Sequence, residues 1–348
     1  KSNGPLFFFP LVLRVASDTH SQCSELANRA LDCLFSRVDE TQMMKFLSCT
    51  IVWSKRQDML QRAAYQVLLL GFSRHASITF EVYSQVEGHM IKRIRAALQR
   101  KDGVDWSITY CQLICFERAV SHRSQCLDSE HSDAFSSEAD FAMVHILPHA
   151  VSYDHLWIQA SALRVLRSYL QAETRMEKSF TILSDVNIEL IVDALITVIE
   201  RQSRTKKVEH ANMGDVLLCL TAIMTSVHAK AISEKYSSQI FHRLHKSAFS
   251  SPELKRTILQ SMAALVSANK SPIDSSNMVL YHALLLSYHC MDRTIEGCDT
   301  KEDLQSYAIA GDIFSSLQLI LPPEIFLVMF ERVKTDLTKK GRSGTVIS

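Results

Sequence analysis

Residues that form turns are scarce throughout this sequence. Glycine occurs 9 times and proline 7 times among 348 residues, well below their average shares of roughly 7% and 5%. Sandwiches, barrels and doubly wound α/β folds need many turns, and turns depend on these two residues. Since hydrophobic residues make up 47% of the chain, there is enough apolar material for a core. The composition therefore favours an all-α fold.

Apolar residues recur at the spacing of a helix along nearly the whole chain, without convincing strand alternation. At least a dozen helices are expected, and one of them covers 82–98. Start signals precede two others, Asp39 before 40–53 and Ser184 before 186–199. The clearest core stripe consists of Met43, Phe46, Leu47, Thr50 and Ile51.

The helix predicted at the beginning of this series offers apolar residues on more than one side. Its core stripe is expected to be Leu26, Ala30 and Leu34, with Leu31 and Phe35 on the flank. Helices of a two-layer stack must bury faces against a hairpin partner and against the next repeat. Several apolar faces on one helix therefore fit a stacked array.

Successive helices pair into hairpins of a length typical of HEAT and armadillo repeats, which span about 40–47 residues. We therefore predict an α-solenoid, and the alternative is a large compact all-α domain. Residues 1–348 are expected to form one continuous array. It is interrupted by a polar loop at 121–137 and ends in a basic tail at 338–348. Because the chain opens at Lys1 without Met, we expect it to be a fragment of a longer protein.

The charges nearly cancel, with 38 Lys and Arg against 37 Asp and Glu. This balance excludes a uniformly basic nucleic-acid coat and an acidic tail protein, and it allows local patches. The nine cysteines are odd in number and scattered, as is typical of reduced thiols in a cytosolic or nuclear protein. Cys111 and Cys115 lie four residues apart on one predicted helix face and are expected in the core.

The common catalytic motifs are absent from this sequence. It contains no glycine-rich phosphate loop, no G-x-S-x-G and no H-E-x-x-H. His145 and His149 are followed by Asp154 and His155, but Pro148 disturbs the helix and nothing else converges on these residues. We therefore expect a protein that is not an enzyme and has no cofactor, metal or small-molecule substrate. The alternative is an all-α enzyme whose buried site uses these histidines and this aspartate.

One strongly apolar segment lies near the start of the sequence, at 6–15. It is too short to span a bilayer, which takes about 20 residues, and Pro10 and Arg14 interrupt it. We expect it to form a buried first helix, and we expect no membrane association. The three tryptophans, Trp53, Trp106 and Trp157, lie near predicted hairpin corners. There they are expected to pack helices together and not to stack on a ligand.

Basic clusters are the positive functional signals of the sequence. They fit contact with RNA phosphates, which needs charge but no base-reading geometry. They equally fit a solvated helix face or cations that complement a helix C-terminus. Because aromatic residues are not interleaved with them, RNA contact is expected at the backbone only. The candidate residues are Lys92, Arg93, Arg95, Arg100 and Lys101 in one cluster, Arg201, Arg204, Lys206 and Lys207 in a second, and Arg332, Lys334, Lys339, Lys340 and Arg342 in a third.

Two segments carry a resemblance to a known family. Residues 149–170 resemble a late HEAT repeat of the small-subunit processome component 20 family, in which a His/Trp pair opens a helix. Residues 317–342 are similar to the end of that family, with Leu317-Gln318, a turn, an aromatic helix and a basic tail. The residues that match the repeat pattern are His155, Trp157, Ile158, Ala160, Ala162, Leu163, Arg164 and Leu166.

The resemblance implies a function and a location. Family members are nucleolar HEAT-repeat scaffolds without enzymatic activity that contact ribosome-assembly proteins and pre-ribosomal RNA. The chain would then act in small ribosomal subunit assembly and pre-rRNA processing. The alternative is a HEAT-repeat adaptor of another complex, such as a nuclear transport receptor or a phosphatase-type scaffold. Transport receptors often carry acidic inner faces. The clusters of this chain are basic, which disfavours the transport-receptor alternative.

Overall fold

The architecture is known from a computed structural model, in which every regular element is an α-helix across the described residues. The described residues are 21–55, 60–99, 106–125, 138–175, 183–204, 212–250, 254–268, 278–295 and 301–343. By internal contacts the chain divides into two compact units, Lys1–Leu183 and Ser184–Ser348. The strongly apolar segment at 6–15 lies outside the described residues.

Eight described helices belong to the first unit and seven to the second. The first unit contains α1 Ser21–Phe35, α2 Glu40–Ser54, α3 Leu60–Arg74, α4 Ala76–Ser84, α5 Glu87–Gln99, α6 Trp106–Gln125, α7 Glu138–Val151 and α8 Leu156–Arg175. The second contains α9 Asp185–Arg204, α10 Met213–Met224, α11 Ala229–Ser250, α12 Lys255–Ala268, α13 Met278–Ile295, α14 Lys301–Ile320 and α15 Pro323–Ser343.

The helices of the first unit form two layers. In one layer α1, α3, α6 and α8 pack side by side in this order, and in the other α2 packs on α4, and α5 on α7. The hairpin partners α2 and α3, α5 and α6, and α7 and α8 join the layers. Each repeat therefore packs on the next one, which is the arrangement of HEAT and armadillo solenoids.

The second unit repeats this two-layer pattern. One layer is α9, α11, α13 and α15, and the other is α10, α12 and α14. Consecutive helices again form the hairpins that connect the layers. The predicted all-α fold of stacked helical hairpins is confirmed. The prediction of one continuous array is not tested by this division and stays a prediction.

Local start signals behave as the sequence predicts. The Asp39 carboxylate accepts a hydrogen bond from the Gln42 N–H at 2.8 Å and caps α2. The Ser184 hydroxyl accepts one from the Asn187 N–H at 3.4 Å at the start of α9. These side chains satisfy backbone donors that a helix leaves open at its first turn.

The single helix predicted at 82–98 is wrong, because α4 ends at Ser84 and α5 begins at Glu87. Between them, the Val86 N–H bonds to the Tyr83 carbonyl three residues back, at 2.9 Å, which tightens the chain into a turn. Both Tyr83 and Val86 are fully buried. The break lets both side chains enter the core, and its own two residues, Gln85 and Val86, are neither glycine nor proline.

The predicted core stripe of α1 is also wrong. The structure buries Leu31 and Phe35, at 2% and 0% exposure, whereas Leu26 is 65% exposed. The stripe predicted for α2, from Met43 to Ile51, is confirmed, since all five of its residues are buried. The α1 residues expected on the flank therefore form the core contact instead.

The boundaries of two polar segments differ from the prediction. α6 continues to Gln125, so the first residues of the loop predicted at 121–137 are helical. Arg123 in this stretch is buried and ion-paired with Asp140 of α7, so it belongs to the core. The tail predicted at 338–348 likewise begins inside α15, which continues to Ser343. Residues 126–137 and 344–348 lie outside the described residues.

Two further predictions concern burial and membranes. Cys111 and Cys115 are both buried, as predicted for core cysteines. Burial raises the pKa of the Cys115 thiol well above its ordinary value, so this thiol stays protonated and unreactive. Among the described helices, none combines the length and the apolar character needed to cross a lipid bilayer.

Candidate interaction surfaces

The first basic cluster lies on α5, whose amphipathic sequence determines which side chains face water. Met90, Ile91 and Ile94 are buried and hold the helix in its layer. Lys92 and Arg95 lie on the opposite side and are exposed, as is Gln99. The common face predicted for Lys92, Arg95 and Gln99 is therefore present. Contact of this face with RNA stays a prediction.

A further cation joins this cluster from another helix. Lys55, at the C-cap of α2, acts on the His89 ring together with Lys92 and Arg93 of α5. Burial, followed by these three positive charges, lowers the pKa of His89. The Nε2 atom of His89 is buried and has no hydrogen-bond partner among the described residues. We call Lys55, His89, Lys92, Arg93 and Arg95 the α5 cationic surface.

Lys55 was not predicted to belong to the α5 cluster, because it precedes that cluster by more than thirty residues. One signal in the sequence did concern Lys55. A lysine just after a predicted helix is typical of a helix C-terminus, because its charge complements the negative end of the helix dipole. No ion pair joins Lys55, Lys92 or Arg95 to a carboxylate among the described residues. Lys55, Lys92 and Arg95 therefore carry positive charge that no carboxylate of the described residues neutralises.

The other two clusters are only partly described. Arg201 is exposed in the last turn of α9. On α15, the Arg332 guanidinium lies 5.2 Å from the centroid of the Tyr281 ring, and Lys334 pairs with Glu331 at 2.6 Å. Arg332 and Lys334 therefore both make contacts within the protein. These contacts fit the alternative that this cluster is a solvated helix face.

The side chains of several predicted site residues lie outside the described part of the structure. Arg100, Lys101, Lys206 and Lys207 lie outside the described residues. Arg204, Lys339, Lys340 and Arg342 are part of helices, but their side chains are not described. Their roles stay predictions from the sequence.

A second surface lies in the other layer of the first unit, where α6 and α8 pack together. The Trp106 ring, at the start of α6, stacks on the His155 ring just before α8, with centroids 4.8 Å apart. One turn further along α6, the Tyr110 ring makes an edge contact with Trp157, with centroids 5.6 Å apart. Because the first turn of α6 contacts the first turn of α8, the two helices run in the same direction.

These aromatic side chains remain open to solvent. Trp106 is 43% exposed and Trp157 is 56% exposed. The expected packing between helices is present for both rings, through the contacts with His155 and Tyr110. Both rings belong to the first turn of a helix, where the packed helices leave about half of each side chain exposed. Trp53, the third tryptophan, is half-buried at the end of α2.

Arginines continue the same surface two turns along each helix. Arg118 of α6 and Arg164 and Arg167 of α8 are exposed. The Glu117 carboxylate lies 3.7 Å from the Arg118 guanidinium. Burial raises the pKa of Glu117, and the charges of Arg118 and Arg164 oppose this rise.

We call this second set of side chains the α6–α8 surface. Its net charge is positive, because three guanidinium groups face one carboxylate. The spacing of Trp157, Arg164 and Arg167 along α8 was visible in the sequence, but their neighbours on α6 were not. The surface consists of Trp106, Tyr110, Glu117, Arg118, His155, Trp157, Arg164 and Arg167.

The histidines considered for a metal or catalytic site do not converge. His145 and His149 are exposed on α7, and Pro148 lies inside this helix. His155 instead stacks on Trp106. Within the described ranges, no group of three or more His, Cys, Asp or Glu side chains is arranged to hold a metal ion.

Comparison of the chain with protein-family models and with curated proteins found no match. The helical-repeat fold and the two surfaces are therefore the basis for the functional argument.

Proposed function

We propose that this chain is a non-enzymatic helical-repeat scaffold that acts in small ribosomal subunit assembly and pre-rRNA processing in the nucleolus. It binds assembly proteins and pre-ribosomal RNA. The observation that carries the RNA contact is the α5 cationic surface, where Lys55, Lys92 and Arg93 converge on His89 from two helices. The resemblance of residues 149–170 to a processome HEAT repeat supplies the kind of RNA.

Phosphate binding explains how this surface works. Each phosphate neutralised by a lysine or arginine releases condensed counterions, so affinity falls with salt. Such contacts need positive charge at a suitable spacing but no reading of base edges. Lys92 and Arg95 are one helical turn apart and exposed, so both reach the same strand. RNA binding at this surface is therefore independent of sequence and strongly dependent on salt.

Two variants test the RNA contact. Lys92, Arg93 and Arg95 changed together to Ala should weaken association with the pre-ribosomal particle, with folding unchanged. Because Arg93 is half-buried, the double variant Lys92→Ala/Arg95→Ala removes only exposed charge. With a single-stranded fragment of the small-subunit precursor RNA, the double variant should lower the log–log salt slope by about 1.4, at ~0.7 for each phosphate contact.

The matched control removes one lysine and one arginine elsewhere in the same unit. Lys45 and Arg62 are both exposed, on α2 and α3, and Lys45→Ala/Arg62→Ala should retain the wild-type slope. Wild-type association of the triple variant, measured at matched salt, would show that the α5 cationic surface does not bind RNA.

A second candidate function is a HEAT-repeat adaptor of another complex. The exposed Trp106 and Trp157 beside arginines favour it, because Trp, Tyr and Arg are enriched among the residues that dominate protein interfaces. Crosslinking in native cells separates the two candidates. Crosslinks between precursor RNA and α5 support the assembly scaffold, and a stable protein partner without RNA crosslinks supports the adaptor.

A further inference from the structure

We propose that the α6–α8 surface binds an acidic peptide segment of a protein partner, with an apolar side chain as its anchor. This site is separate from the α5 cationic surface, because α6 and α8 lie in one layer and α5 lies in the other. The inference names a partner chemistry that the scaffold function leaves open, and it stands on different residues.

The aromatic end of the surface provides the anchor site. Trp106 and Trp157 are about half exposed, and Leu156 beside them is 42% exposed. Their ring contacts with His155 and Tyr110 fix the orientation of both indoles. A rigid aromatic pair loses little side-chain entropy when it binds, so burying an apolar side chain against it is favourable.

The charged end of the surface provides the specificity. Arg164 lies seven residues after Trp157 on α8, which places it about 10 Å along the same helix face. Arg118 on α6 lies beside the same glutamate as Arg164. No described residue forms an ion pair with Arg167. Guanidinium groups pair with carboxylates through two parallel hydrogen bonds, so acidic side chains of a peptide fit this end.

Glu117 decides between a peptide and a nucleic acid as the occupant. Its carboxylate lies 3.7 Å from Arg118 and is also acted on by the charge of Arg164, and its side chain is 20% exposed. A nucleic-acid strand carries a negative charge at every nucleotide and cannot avoid repulsion there. A peptide can place a neutral side chain opposite Glu117 and acidic side chains opposite the arginines. The charge pattern therefore favours an acidic peptide over RNA.

Selection from a displayed library of short random peptides tests the proposal, with the whole chain as bait. We expect enrichment of peptides that combine an apolar residue with several Asp or Glu residues. Binding of a selected synthetic peptide should weaken about tenfold or more in Arg164→Glu and in Trp157→Ala, a loss of about 1.4 kcal/mol. It should also weaken as salt increases.

The control variant is Arg95→Glu, which makes the same charge change on α5 and should bind the peptide like the wild type. Far-ultraviolet circular dichroism verifies that each variant is folded, and Arg164→Glu changes only an exposed side chain. Enrichment of neutral or basic peptides, or no enrichment dependent on Arg164 and Trp157, would overturn the proposal. So would oligouridine binding that these two variants abolish and Arg95→Glu retains.

The two proposals fail separately. Loss of RNA binding in the Lys92→Ala/Arg95→Ala variant concerns only the α5 cationic surface. A peptide result concerns only Trp157 and Arg164, whichever way the RNA experiment ends.

Discussion

Arg123 and Asp140 form a buried bidentate ion pair that joins α6 to α7. The two guanidinium nitrogens of Arg123 donate to the two carboxylate oxygens of Asp140, each at 2.7 Å. The side chains are only 6% and 0% exposed. The Tyr169 hydroxyl of α8 donates to the same carboxylate at 2.6 Å. One carboxylate therefore holds three helices together, including the two that form the α6–α8 surface.

Replacing this carboxylate should destabilise the protein strongly. Asp140→Asn keeps the volume of the side chain but removes the negative charge that is paired with the buried Arg123 guanidinium. Breaking a buried pair in this way costs about 3–5 kcal/mol. Urea denaturation monitored by circular dichroism measures the loss. Asp32→Asn is the control, because Asp32 pairs with Arg74 in similar geometry but both side chains are 45% exposed. An exposed pair contributes at most about 1 kcal/mol, so equal losses would contradict the role of burial.

Two leucines of α1 test which face of this helix is the core. Leu31→Ala should lower the free energy of unfolding by about 2–5 kcal/mol, because it leaves a cavity at a side chain that is 2% exposed. Leu26→Ala, at 65% exposure, should change it by no more than about 0.5 kcal/mol. The same urea experiment compares both variants. A larger loss for Leu26→Ala would show that α1 packs through the other face.

The contact of α13 with the last helix should weaken in alkali. The Tyr281 hydroxyl donates to the Asp336 carboxylate of α15 at 2.5 Å. Burial and this hydrogen bond raise the pKa of Tyr281 to about 12 from 10.0. Because the folded-state pKa is higher, the stabilisation is complete below about pH 10 and is lost as the pH rises from 10 to 12.

Tyr281→Phe should abolish this part of the alkaline loss. At neutral pH it should cost on the order of 1 kcal/mol for the missing hydrogen bond. Urea midpoints measured from pH 8 to pH 11.5 compare the variant with the wild type, and parallel curves would rule out the hydroxyl as the source.

His89 should report on the charge of the α5 cationic surface. Its pKa lies below the ordinary 6.5 because the ring is partly buried and lies near Arg93, Lys55 and Lys92. As the pH falls below 6.5, the unfolded chain binds a proton that the folded ring resists, so stability is lost. Lys92→Ala should raise the pKa of His89, because it removes one of these positive charges.

Nuclear magnetic resonance titration of the imidazole ring measures this change. Lys45→Ala should leave the pKa of His89 as it is, since Lys45 is not among the charges that act on the ring. Oligouridine bound at the surface should raise the same pKa through its phosphates. An unchanged pKa in Lys92→Ala would place Lys92 away from the ring.

Local features of the fold could be predicted because they depend on neighbouring residues in the chain. Asp39 caps α2 through a bond to a residue three positions away, and the α2 stripe repeats at helical spacing. The break between α4 and α5 could not be predicted in this way. Its own two residues, Gln85 and Val86, are neither glycine nor proline, and the turn is favourable because Tyr83 and Val86 are buried by other helices.

The two surfaces show the same division. The Lys92 cluster was visible because its residues are consecutive on one helix. Lys55, which acts on the same histidine, comes from another helix. The aromatic contacts of Trp106 with His155 and of Tyr110 with Trp157 join residues nearly fifty positions apart. No spacing rule within one helix could bring these rings together.

The sequence alone determined the all-α class, since few turn residues and helical periodicity are properties of the local chain. It also determined most helix positions and the place of the basic residues. Only the tertiary structure decided which face of α1 is buried. Apolar residues on either side of α1 would gain free energy by burial, and the neighbouring helix selects one side. The tertiary structure also decided that Arg123 is a core residue. A charged side chain is buried only where an opposite charge pairs with it, and here Asp140 comes within hydrogen-bond distance.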